Sequence, residues 1–117
     1  MSYIIFHNPR CKKSRAGLAY LQTKGIEPII RDYQKEPFTK AEFKDLLMKL
    51  SMKPGDLVRK QEDDYKKKYA GKNFSDHEWT LILLENPKLI TRPVVVRDFK
   101  AVIGDPVENI DRLLKAK

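Results

Sequence analysis

The chain has 117 residues, 41% hydrophobic and 34% charged, with 24 Lys and Arg against 16 Asp and Glu for a formal net charge of +8. That length sustains one core, and the apolar content excludes an intrinsically disordered chain. The positive balance admits a small anion, a nucleic acid or a membrane surface, whereas a single cysteine excludes an internal disulfide and the distant His7 and His77 give no metal-ligand spacing.

Tyr3 to His7 is rich in β-branched and aromatic residues without polar alternation, which predicts a strand buried on both faces of a sheet. The apolar run is short and lacks a preceding basic stretch, so it reads as neither a signal peptide nor a membrane span. We expect a cytoplasmic protein, where a lone thiol stays reduced. Asn8-Pro9 ends the strand, and Ala16, Leu18, Ala19, Tyr20 and Leu21 recur at helical spacing between Ser14 and Lys24, with Gly25 as a left-handed stop. Glu27 to Tyr33 reads as a second strand, parallel to the first because a helical crossover joins them.

Thr39 to Glu42 is a capping box, followed by Phe43, Leu46, Leu47 and Leu50 on one helical face. Asp56 to Lys72 is expected to hold one or two short, mostly solvated helices, with Lys66 to Lys68 as a solvated face. Ser75 to Glu78 is a second capping box, opening a helix that carries Trp79, Ile82 and Leu83, reads Trp79 as a core residue, and stops before Pro87. Val94 to Val96 and Ala101 to Ile103 should pair as an antiparallel hairpin, and Pro106 suits the first turn of a closing helix bearing Val107, Ile110, Leu113 and Leu114. The order describes one α/β domain over 1–117: a four-stranded mixed sheet flanked by helices, with a central helical insert at 38–90.

Cys11 lies at the junction of the first strand and first helix, among Arg10, Lys12, Lys13 and Arg15. A free thiol has a pKa of about 8.5, so roughly 3% is thiolate at pH 7, and reactivity needs a local cause. The unpaired amides of a helix start and the neighbouring positive charges both favour the anion, and His7 adds a hydrogen bond or a proton. The same groups suit a bound oxyanion. A buried, inert cysteine is the competing reading, and so many adjacent charges make a poor core.

His7-Asn8-Pro9-Arg10-Cys11 with Ser14-Arg15, then Leu57-Val58-Arg59, then Asn86 to Val96 including Thr91-Arg92-Pro93, resemble the glutaredoxin-coupled arsenate reductase family over nearly the whole chain. The resemblance implies a thioredoxin-like fold, Cys11 as nucleophile, His7 and Ser14 as groups that tune it, and Arg59 and Arg92, with Arg15, as oxyanion ligands. It also implies a cis peptide bond at Arg92-Pro93. Cys11 thiolate would reduce arsenate to arsenite, with glutathione as co-substrate, glutaredoxin as partner and no bound cofactor or metal. A chain with one cysteine needs an outside thiol for a two-electron reduction.

Family arsenate reductases carry a third arginine just before the proline of the closing segment, where this chain has Asp105. An aspartate there repels an oxyanion unless Arg10, Lys12, Arg15 or Arg97 compensates. Two alternatives follow: a glutathione-dependent thiol oxidoreductase without efficient arsenate activity, and an Spx-type redox regulator that binds RNA polymerase. The second is disfavoured because Ser14 occupies the position of its second cysteine. Tyr65 and Tyr69 do not form a stacking platform, so nucleic acid is disfavoured too. Without the family pattern, Arg59 and Arg92 would read as surface ion pairs, for which Glu62, Asp63 and Asp64 are candidates.

Overall fold

Four strands, β1 (Tyr3–His7), β2 (Ile29–Asp32), β3 (Val94–Arg97) and β4 (Lys100–Ile103), form one mixed sheet ordered β2-β1-β3-β4. They are seen in a computed structural model that describes residues 2–115. β1 and β2 are parallel, with Ile5 opposite Ile30, as the crossover through helix α1 (Lys12–Thr23) requires. β1 runs antiparallel to β3 and β3 to β4, so that Ile5, Val95 and Val102 stand in one row across three strands. Leu21 of α1, together with Ile110 and Leu113, closes the same buried cluster. Full burial of such side chains stabilises the fold by about 1.5–3 kcal/mol each. The sheet, α1 and the closing segment make one compact unit, formed by the residues up to Glu36 and those from Arg92 onward, and its fold is thioredoxin-like.

Within this unit the backbone of α1 comes close to Pro93. A Cβ built on Gly17 would lie 2.7 Å from Pro93 Cγ, and one on Gly104 would lie 3.0 Å from it. A proline ring cannot rotate out of the way, so both positions need glycine for space. Gly17→Ala should therefore cost about 1–3 kcal/mol, the usual range for overpacking. A urea melt reads this directly, and an unchanged midpoint would show that the contact is soft.

The second compact unit is Pro37–Thr91. Its two longer helices begin where the sequence places them. Thr39 Oγ1 accepts from the Glu42 amide at 3.1 Å and Glu42 Oε1 accepts from the Thr39 amide at 3.0 Å, opening α2 (Lys40–Leu50). Ser75 and Glu78 exchange the same bonds at the start of α4 (Asp76–Glu85). Between them come a 3-10 turn (Pro54–Leu57) and the short helix α3 (Asp63–Lys68), which buries none of its residues. α4 packs on α2 and on the 3-10 turns Pro54–Leu57 and Pro87–Leu89. Trp79 is half-buried rather than deep in a core: it meets Phe74 edge-on at 4.9 Å and stacks on Tyr65 at 6.5 Å between centroids. Tyr65 and Tyr69 are thus spent on an aromatic cluster.

Three local expectations shift. α1 begins at Lys12, earlier than Ser14, because Cys11 itself is the N-terminal capping position. β2 is an edge strand whose Ile29 and Ile30 are 59% and 51% exposed. Pro106 precedes a 3-10 turn (Val107–Ile110) that leads into α5 (Asp111–Lys115), and it follows a cis Asp105-Pro106 bond, so it is not a first-turn helical proline. Among the described residues no helix is long and apolar enough to cross a membrane.

Candidate active site

The turn that presents the thiol is built from its own polar atoms. The Cys11 amide donates to the Asn8 carbonyl at 2.9 Å, and the Arg10 amide donates to Asn8 Oδ1 at 3.0 Å. The Arg15 guanidinium donates to the Pro9 carbonyl at 2.9 Å. Beneath the turn, the fully buried Ser14 hydroxyl accepts from the Asn8 amide at 2.9 Å and lies 2.7 Å from Nδ1 of the buried His7. β1 therefore delivers His7, α1 delivers Ser14, and the pair holds the loop between them at a fixed height.

Cys11 is partly exposed at the start of α1 and is a free thiol. The thiol makes no side-chain capping bond in its own right, as expected of a weak acceptor. Its anion is another matter. Burial pushes the Cys11 pKa up, but the Ser14 amide, the Arg92 guanidinium and the Lys13 amide together outweigh burial, and the net shift is downward. The helix-start amides act as the sequence leads one to expect. The charge that acts on the thiolate belongs to Arg92, from the segment entering β3, where the sequence pointed to Arg10, Lys12, Lys13 and Arg15. Arg92 is itself 8% exposed, so its charge is less screened than those of the exposed Arg10, Lys12 and Lys13.

The peptide bond between Arg92 and Pro93 is cis. The Gly104 amide donates to the Pro93 carbonyl at 2.8 Å, which ties the segment after β4 to the proline. Burial lowers the His7 pKa; Asp32 raises it, Arg15 lowers it further and the Ser14 backbone raises it, for a net shift downward. The shift favours the neutral imidazole, so His7 acts on the site chiefly as a hydrogen-bonding partner of Ser14.

Of the remaining residues singled out by sequence, Arg59 belongs to the second unit. Its Nη1 pairs with Glu62 Oε1 at 2.8 Å, and its amide donates to the Leu89 carbonyl at 2.7 Å. Arg97 stands at the other end of β3, opposite Tyr3, where its guanidinium donates to the Leu113 carbonyl and lies over the Tyr3 ring. It stands away from the Cys11 turn and cannot supply a compensating charge there. Asp105 instead pairs with Lys13, Nζ to Oδ2 at 3.1 Å. Neither this pair nor the glycines that cradle Pro93 could be read from spacing, because they join segments remote in the chain. A half-open cleft of about 310 Å³, lined by Ser2, Tyr3, Ile26 and Ile29 among others, opens at the start of β1 and so lies away from the thiol at its end.

Residues 6–113 match the ArsC family. The chain is 41% identical over 108 residues to the uncharacterized protein YfgD of Escherichia coli K12, covering 91% of each. It is 36% identical over 116 residues to an arsenate reductase of Haemophilus influenzae, covering 97% of this chain and 100% of that one. The solved structure of an arsenate reductase from Vibrio cholerae superposes with a TM-score of 0.89 at 36% identity, covering 96% of this chain and 97% of that one.

Proposed function

This chain belongs to the ArsC family, and on that premise we propose that it is a thiol-dependent arsenate reductase with Cys11 as its nucleophile. The observation that carries the reading is the convergence on Cys11 of helix-start amides and the Arg92 guanidinium, which lower the thiol pKa. Relatives of similar length that are named arsenate reductases support the choice of substrate.

In this mechanism Cys11 thiolate attacks arsenic and forms a sulfur–arsenic bond, and one oxygen leaves as water after taking up protons. A second thiol, from glutathione, then attacks the Cys11 sulfur. The sulfur–arsenic bond breaks, its electron pair stays on arsenic, and arsenic falls from the +5 to the +3 state. The two sulfurs, each oxidised by one electron, remain as a Cys11–glutathione mixed disulfide, which glutaredoxin reduces. Arg92 stabilises the oxyanion and the thiolate in turn, in the manner of an oxyanion hole. Ser14 and His7 hold the loop and Arg15 supports it through Pro9. Arg59 is assigned to the oxyanion by the family pattern, and one arm of its guanidinium is already engaged by Glu62. Glutathione as reductant fits a cytoplasmic location.

One observation favours a second reading. The carboxylate of Asp105, next to the Cys11 turn through Lys13, is unfavourable to an anionic substrate and compatible with disulfide exchange. A coupled assay separates the two. Arsenate-dependent turnover that requires both glutathione and glutaredoxin is the expected result. Exchange with a glutathione disulfide in the absence of any arsenate turnover would instead make the protein a glutathione-dependent thiol oxidoreductase.

A further inference from the structure

We propose that the Lys13–Asp105 ion pair sets the anion selectivity of the Cys11 site, holding down its affinity for a doubly charged oxyanion. This rests on the oxyanion chemistry just proposed and names the residues that tune it. Lys13 is in the first turn of α1, and its amide is one of the groups that stabilise the thiolate. Its Nζ is drawn to Asp105 Oδ2 at 3.1 Å. Asp105 is held in place by its backbone. The preceding Gly104 amide donates to the Pro93 carbonyl at 2.8 Å, and Asn109 Nδ2 donates to the carbonyls of Ile103 and Asp105 at 3.0 and 3.3 Å. Gly104 also lies against the Pro93 ring, where a Cβ would come within 3.0 Å of Cγ. The backbone that carries the carboxylate therefore cannot withdraw far without shifting Pro93, the neighbour of Arg92.

Both side chains are about half exposed, 54% and 40%, and an ion pair so solvated adds little to stability. Its consequence is for the field where an oxyanion would bind beside the thiol. Lys13 would otherwise add a positive charge to that of Arg92, and the negative charge of Asp105 cancels it. A dianion feels this twice as strongly as a monoanion, since the interaction scales with the product of charges. The site thereby favours a singly charged thiol co-substrate over arsenate more than one with a third cation would.

The probe is inorganic phosphate, a tetrahedral oxyanion that cannot be reduced, scored by how well it protects Cys11 from iodoacetamide. At low ionic strength Asp105→Asn should tighten protection about three- to tenfold, and Lys13→Gln should weaken it to a similar extent, both effects shrinking as salt is added. The double variant should return close to the parent value. An unchanged protection constant in Asp105→Asn, or no protection in any variant, overturns the proposal. So does an Asp105→Asn shift of the alkylation-versus-pH midpoint large enough to explain the change in protection, since Asp105 would then act on the thiol itself. Protection needs no turnover, so a protein that shows the expected shifts but reduces no arsenate keeps this inference and loses the reductase assignment.

Discussion

Cys11→Ser should reduce arsenate-dependent turnover to the background of the uncatalysed thiol reaction. An alcohol is far less acidic than a thiol, and the influences that bring the Cys11 pKa below its ordinary value leave a hydroxyl protonated at neutral pH. Oxygen also cannot take the place of sulfur in the electron balance, because the step that frees arsenite ends in a disulfide. The substitution is nearly isosteric at a partly exposed position, so the urea midpoint should move by less than about 0.5 kcal/mol in stability. Turnover by the serine variant above one tenth of the parent rate would remove Cys11 from the chemistry.

Arg92→Ala should be the next most damaging change. It deletes a hydrogen bond and a positive charge that stabilise the thiolate. Loss of one such donor costs about 10²–10³ in kcat where it also holds an oxyanion. The sign at the thiol follows from linkage. Arg92 favours the charged form, so its removal raises the Cys11 pKa, and the rate of iodoacetamide alkylation against pH must shift to higher pH. Because Arg92 is buried, the alanine variant also leaves a void, and Arg92→Lys is the informative companion. It retains the charge and loses the planar fork, so it should recover most of the alkylation profile and little of the oxyanion affinity. An alkylation midpoint that stays in place in both variants would mean that the helix start alone activates the thiol.

The parts of this fold that were legible in the sequence are those decided locally. Tyr3 to His7 reads as a strand because branched and aromatic residues crowd it, and the capping boxes at Thr39 and Ser75 mark two helix starts because each satisfies its own backbone amides. The helix-start activation of Cys11 is local in the same sense. The charge on the thiolate is not. Arg10 and Lys12 adjoin Cys11 in the chain but are exposed, and Lys13 turns to Asp105, while Arg92 reaches it through the pairing of β3 with β1. Family resemblance had named Arg92, and no spacing rule could have. The pairing of Asp105 with Lys13 was hidden for a like reason, since it depends on two glycines letting α1 and the segment after β4 close around one proline ring. Pro106 misled because proline is common at a helix start, whereas here it follows a cis bond in a turn.

The antiparallel seam that sets Phe6 opposite Val94 joins the two ends of the chain, and this has a bearing on biosynthesis. Arg92 comes off the ribosome long after Cys11, and it meets the sulfur only when the late strand has docked on the early one. Until then the thiol has only the helix-start amides of α1 to favour its anion. The share of its acidity that comes from Arg92 arrives with completion of the sheet, so that alkylation rate reports on native assembly as well as on chemistry.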